Sequence, residues 1–231
     1  MLSKGRLIVL EGIDGSGKSS QYRRICARME KDGIDYNHIV FPRYDKDSSA
    51  LIRMYLSGQF GTHPDDVNAY AASTFYAVDR FASFREDWGK IYNNGGLIIS
   101  DRYTTSNAVH QTGKLPEGEW EEFLRWLFTF EYGRLGLPEP DLVLWLDMPT
   151  ERAVEMLRRR EGETHTKGDI HEVDTAYLAR CRSVAATAAR LGGWKRISCV
   201  DGNGRVRAQE EIHHEIWGVV APLLDSNAKN A

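Results

Sequence analysis

The stretch Gly12-Ile13-Asp14-Gly15-Ser16-Gly17-Lys18-Ser19 brings together residue types that can hold a polyphosphate. It fits the pattern G-x-x-x-x-G-K-[ST], in which successive backbone N–H groups turn inward around an anion. Glycines are required because the wrap passes through dihedrals that residues with a Cβ avoid. In such a loop Lys18 reaches the β- and γ-phosphates and the Ser19 hydroxyl takes a place on Mg²⁺, with Gly12, Gly15, Ser16, Gly17 and Ser20 completing the candidate cradle. A carboxylate at a strand end should complete the metal site. Leu97-Ile98-Ile99-Ser100 leads into Asp101, and Leu142 to Leu146 leads into Asp147, so the strand pattern alone does not choose. Asp101 is followed by Arg102, whose guanidinium suits bidentate phosphate contact, whereas Asp147 is followed by Met148-Pro149 and reads as a loop and helix-start residue. Ser19 and Asp101 are therefore the candidate metal ligands.

These groups need rigid elements behind them. Leu7-Ile8-Val9-Leu10 reads as a buried strand feeding the loop, and a helix from Lys18 to about Lys31 adds the positive end of its dipole. Further strands are expected at Asp35 to Phe41, Leu97 to Ser100, Leu142 to Asp147 and Arg196 to Val200. Helices are expected at Ser48 to Ser57, from Pro64 to about Tyr92, and at Thr104 to Gln111, Glu117 to Tyr132, Thr150 to Arg160, Glu172 to Leu191 and Arg205 to Leu224. On the helix from Pro64, Val67, Ala71, Phe75, Val78 and Ala82 form an apolar stripe that reads as core, and Tyr76 and Arg80 share a different face. Glu161 to Ile170 is polar and Gly-punctuated, which predicts a mobile loop. Continuous apolar strands alternating with helices predict an α/β fold, a five-stranded parallel sheet flanked by helices in three layers. Ligands of such a sheet gather at the carboxyl ends of the strands, where Asp14, Arg43, Asp101, Arg102 and Asp147 fall.

At 231 residues the chain is expected to be one domain. A formal net charge of −3 disfavours a nucleic-acid surface, which carries a basic excess. Cys26, Cys181 and Cys199 are odd in number and widely spaced, which speaks for a reducing compartment and against a disulfide framework or zinc site. The first strand begins near Arg6 and leaves no space for a leader, and the longest apolar runs fall far short of the roughly 20 residues that span a bilayer. The expectation is a cytoplasmic protein with no membrane and no nucleic-acid partner.

Four ordered motifs carry a resemblance. Glu11 to Ser19, then Phe41-Pro42-Arg43-Tyr44, then Asp79-Arg80, then Asp101-Arg102-Tyr103 with Ser106-Asn107 and Gln111, resemble the thymidylate kinase family in order and spacing, over about residues 4–182. The resemblance implies a P-loop NTPase fold with a mobile lid at about 158–171, and transfer of the γ-phosphoryl group of ATP to the 5′-phosphate of dTMP, giving dTDP. It implies ATP and Mg²⁺ as cofactors, dTMP as the small-molecule partner, and a homodimer. Two anions must be brought together, so Arg43 and Arg102 should converge beside Lys18, with Asp14 bonding the sugar 3′-hydroxyl. Tyr76 would stack on thymine and Arg80 bond its edge, in place of a surface aromatic lying over an arginine stem. Phe41, Tyr44, Asn107, His110 and Gln111 would line the same pocket; His110 stands where members often carry an aromatic on the 2′ side. Some members carry an arginine inside the phosphate loop and others in the lid. With Gly15 in the loop, the charge is expected from Arg158-Arg159-Arg160 or beyond.

Two other readings are weaker. Thr166-Lys167-Gly168-Asp169 and Asp201-x-x-Gly204 resemble signatures of a GTP-binding switch protein, but the first follows no strand and the two come in the wrong order. A kinase for another nucleoside monophosphate or a deoxynucleoside shares the donor loop; Arg43 and Arg102 argue for an acceptor already bearing a phosphate without naming its base.

Overall fold

Leu7 to Leu10, Ile98, Ile99 and Leu144 are completely buried, as continuous apolar strands in the middle of a sheet must be. The computed structural model describes residues 4–164 and 175–228. Among these, β1 (Arg6–Glu11), β2 (Asn37–Val40), β3 (Leu97–Asp101), β4 (Leu142–Asp147) and β5 (Lys195–Ser198) form a five-stranded sheet in the order β2-β3-β1-β4-β5, with every pairing parallel. The edge strands β2 and β5 have four residues each and are partly exposed, which is why their expected ends were too generous.

Two groups of helices cover the sheet. α1 (Lys18–Lys31) packs against α9 (Gln209–Ala228), and α5 (Thr104–His110) packs against α6 (Trp120–Phe128) and α8 (Thr175–Gly192). The remaining helices are α2 (Ala50–Leu56), α3 (Ala69–Ser83), α4 (Gly89–Asn93) and α7 (Thr150–Thr164). One contiguous apolar cluster runs through both layers, from Ile25 and Met29 to Phe123, Leu127, Leu178 and Ile216. Among the described residues no helix is long and apolar enough to cross a membrane.

The helix expected from Pro64 to Tyr92 starts later, at Ala69, and then runs unbroken to Asn93 with a π-helical turn inside it. Pro64–Asp66 is a 3₁₀ turn, Val67 is extended (φ −113°, ψ 119°), and Asn68 starts α3 afresh by accepting from the Ala71 N–H at 2.8 Å. After α3 comes a π-helical turn, Phe84–Trp88, and then α4. The expected core stripe is also corrected. Val78 is 54% exposed, while Ala69, Ala72, Ser73, Ala77, Asp79, Arg80 and Ser83 are buried. The inward face of α3 carries small residues and an ion pair, so hydrophobicity pointed to the wrong side. Glu161 to Thr164, expected to begin a mobile loop, are the last turn of α7. The remaining expected lid, residues 165–171, lies outside the described residues, as does Thr166 to Asp169.

Candidate active site

The loop between β1 and α1 follows from its glycines. Gly17 adopts φ 88° and has nothing within 4 Å of an added Cβ, so the mouth of the loop is open. Gly15, at φ 81°, is closed: an added Cβ would strike the backbone of Ala153 in the first turn of α7. The Lys18 ammonium folds over the loop and donates to the carbonyls of Gly12 (2.6 Å) and Ile13 (3.0 Å), with the Asp14 carboxylate 3.7 Å away. Burial, followed by the positive charge of Arg102, lowers its pKa against the pull of Asp14, Glu11 and Asp101. The Ser16 hydroxyl is buried without a hydrogen-bond partner. Ser19 and Ser20 sit in the first turn of α1, where backbone N–H groups have no partner within the helix.

Parallel pairing of β1 with β3 sets Leu10 opposite Asp101 and so brings the end of β3 beside the loop. The Ser19 hydroxyl lies 3.4 Å from Asp101 Oδ2, and Asp101 Oδ1 is buried with no partner. Asp147 differs. It is no simple helix-start residue: Arg182 binds Oδ1 at 2.7 Å and Arg196 binds Oδ2 at 2.7 Å. One aspartate thus keeps an unsatisfied oxygen beside the loop serine, and the other has both oxygens occupied. An orphaned carboxylate oxygen next to a hydroxyl fits a hard divalent cation such as Mg²⁺.

Arg102 is the one non-glycine with positive φ (68°) among the described residues, a conformation that is costly for a side chain of this size. Its N–H is held by Leu10 O at 3.2 Å and its carbonyl by the Ser100 hydroxyl at 2.5 Å. The guanidinium binds Asp14 and lies 3.2 Å from His110 Nε2. Burial opposes its charge, but Asp14 foremost, then Glu11 and Asp101, raise its pKa above the usual value. A guanidinium only donates, so Nε2 of His110 is the acceptor and its Nδ1–H faces Cys181 Sγ at 3.8 Å. Arg43 sits among acids. Its guanidinium is bound by Asp79 (3.2 Å), Asp87 (2.6 Å) and Ser48 (3.0 Å), with Glu86 at 3.4 Å, so it anchors the segment after β2 to α3. Asp79 of α3 and Glu86 and Asp87 beyond it thus partner the guanidinium that is expected at the phosphates.

Next to Arg102 a concave pocket opens. Its lining includes the charged and polar Asp14, Arg80, Arg102, Asn107, His110 and Gln111 and the aromatic Phe41 and Tyr76, with the half-exposed Tyr44 also on its wall. Arg80 is not the stem of a surface stack. It is 1% exposed and paired with the fully buried Glu131 through Nε (2.7 Å) and Nη2 (2.6 Å). Breaking such a buried pair by removing one partner costs about 3–5 kcal/mol. Asn107 Nδ2 donates to Ser73 O (3.1 Å) and to Glu131 (3.2 Å). Both acceptors demand the amide nitrogen on that side.

A profile of the family described as Thymidylate kinase matches residues 10–212. A thymidylate kinase of Mycobacterium tuberculosis (strain H37Rv) is 31% identical over 188 residues, 80% of this chain and 86% of its own. One from Cereibacter sphaeroides is 30% identical over 227 residues, 97% of this chain and 98% of its own. The chain belongs to the thymidylate kinase family. The solved structure of a thymidylate kinase from Candida albicans, 20% identical, superposes with a TM-score of 0.70 over 95% of this chain and 92% of its own, which shows the same P-loop kinase fold.

Within this kinase fold, three acids escaped the sequence reading as site-builders. Glu11 accepts from Gly12 N (2.8 Å), Thr105 (2.8 Å) and Ser106 (2.7 Å), tying the loop to α5. Its signal was a lone acid ending an apolar strand. Asp79 anchors Arg43 and accepts from the Ser48 hydroxyl at 2.6 Å. Glu131 lies four residues after Leu127 and seven after Leu124, on the apolar face of its helix, where a carboxylate demands a buried partner.

Proposed function

We propose that this dTMP kinase, which transfers the γ-phosphoryl group of ATP to dTMP to give dTDP and ADP, reads its acceptor with a donor and an acceptor set side by side on the pocket wall. Arg80 has five N–H groups. Two go to Glu131 and one to Tyr103 O (3.3 Å), leaving one proton on each terminal nitrogen. Asn107 gives both amide protons to Ser73 and Glu131, so its Oδ1 is what it offers the pocket. Thymine presents the complement, a carbonyl oxygen beside an N3–H, whereas cytosine presents an amino group beside a bare nitrogen. That pairing is the single observation carrying the base assignment. Phe41 and Tyr76 are the flat apolar surfaces assigned to the ring.

The phosphate of dTMP is assigned to Arg102, and the sugar hydroxyl to Asp14, with His110 and Gln111 beside them. Lys18 and the loop amides hold the donor's phosphates and supply charge where it develops during transfer. Bound Mg²⁺ would neutralise phosphate charge, and Ser19 and Asp101 are the residues to hold it. Gly15 leaves no room for a loop arginine, so the additional charge on the donor side is assigned to the run Arg158 to Arg160. We read the chain as one domain acting as a cytoplasmic homodimer; its three buried free cysteines fit a reducing compartment.

A coupled assay across dTMP, dUMP, dCMP, UMP, GMP and thymidine tests the reading. The expected order places dTMP first, with thymidine, which lacks the phosphate for Arg102, and dCMP, which has the wrong edge, far behind. A better acceptor than dTMP in that panel refutes the assignment.

A further inference from the structure

Glu131 touches no part of the pocket surface, yet its two oxygens collect four donors: Arg80 Nη2 (2.6 Å) and Asn107 Nδ2 (3.2 Å) on one, Arg80 Nε (2.7 Å) and the Thr104 hydroxyl (2.7 Å) on the other. It is fully buried, on the π-helical turn Thr129–Arg134 that follows α6. An extra residue in a helical turn re-aims side chains and recurs at functional sites. Arg80 and Asn107 come from different helices, α3 and α5, and among the described residues Glu131 is the one group bonded to both.

We infer that Glu131 is a positioning residue that sets base selectivity by fixing the polarity of the Asn107 amide and the fork of Arg80. The inference rests on the base reading proposed above. An asparagine amide can turn over and exchange its oxygen for its nitrogen. Turned over, Asn107 would present N–H protons to the pocket, the pattern that cytosine's N3 accepts. A carboxylate at Glu131 forbids this, because an Asn oxygen facing it would meet an acceptor with an acceptor and leave both buried groups unpaired. Ser73 O, also acceptor only, forbids it from α3. The same carboxylate, by taking Nε and Nη2 of Arg80, leaves only the protons that face away from it. A purely structural ion pair would need Arg80 and Glu131 but not Asn107.

The experiment compares dUMP with dCMP, which differ only at the edge being read. In Glu131→Gln the new amide can donate toward Asn107, which removes the charged one of the two acceptors that forbid the turn and leaves only the neutral Ser73 O against it. The dUMP/dCMP ratio of kcat/KM is expected to fall by about tenfold or more, mainly through KM, with kcat for dTMP changing little. Glu131→Asp, which keeps the acceptor charge, is expected to recover part of the ratio. A folded Glu131→Gln enzyme with the wild-type ratio overturns the inference alone. Wild-type enzyme with no preference for dUMP over dCMP overturns the base reading and the inference with it. Should neither variant fold, the wild-type chain decides: side-chain NMR of Asn107 in the free enzyme is expected to show amide protons that exchange slowly and keep their environment when dTMP binds. Exchange as fast as an exposed asparagine, or inversion on binding, overturns it.

Discussion

A methyl group at Gly15 would approach the carbonyl carbon of Ala153 to 2.8 Å, and the backbone there has φ 81°. Two costs therefore combine at one position, and a second glycine separates them. Gly33 has φ 68° but nothing within 4 Å of an added Cβ. Gly33→Ala is expected to lose about 1 kcal/mol to the left-handed backbone, a Tm drop of roughly 2–4 °C, with turnover unchanged. Gly15→Ala is expected to lose more, and also to lower kcat/KM for ATP by about tenfold or more, because α7 must withdraw from the loop that cradles the phosphates. Thermal melts and steady-state kinetics on the two variants check this. Wild-type turnover in Gly15→Ala would show that α7 does not press on the loop.

Lys114 shows what a single side chain does between elements. It ends the 3₁₀ turn Thr112–Lys114, and its ammonium donates to the Tyr55 hydroxyl on α2 (2.8 Å) and to Val67 O before α3 (2.9 Å). Burial lowers its pKa to about 8, against the pull of Asp65 and Cys181. The unfolded chain holds that proton up to about pH 10.4. Between the two values the unfolded state binds more protons, so this group makes stability rise with pH from about 8 to about 10.4 and contributes no slope below 8. The whole gain is about 3 kcal/mol at most. Urea melts at pH 7.5 and 10 are expected to show this rise in the wild type relative to Lys114→Met; parallel pH profiles would refute it. The same scale shows what the sequence revealed. β1, β3, β4 and the loop at Gly12 to Ser19 were legible because apolar runs and glycine geometry are local. The start of α3 was not, because it depends on an extended Val67 between a proline turn and the Asn68 cap. Arg80 was legible as a site residue but its partner was not, since Glu131 lies 51 positions away and only the tertiary fold brings them together. The acids that hold Arg43 were illegible for the same reason, arriving from 36 to 44 positions downstream.

At the scale of the whole molecule, α3 has two working faces. Inward it carries Arg80 and Tyr76 to the pocket; outward it exposes Tyr70 (41%), Val78 (54%) and Phe81 (40%), at helical spacing. Tyr70 continues this surface onto α6 through its edge contact with Trp126, ring centroids 4.6 Å apart. An apolar stripe on an element whose other side carries residues assigned to the base is the surface on which the proposed homodimer should form. Pairing there would brace the helix that positions Arg80, so dimerisation and acceptor affinity should be coupled. Sedimentation at micromolar concentration is expected to give twice the 26.2 kDa chain mass. Val78→Glu combined with Phe81→Glu puts two charges into the seam without touching the buried face, and is expected to give a folded monomer with a raised KM for dTMP. A wild-type monomer removes the dimer; a monomeric double variant with unchanged KM keeps the dimer but shows that α3 holds Arg80 in place unaided.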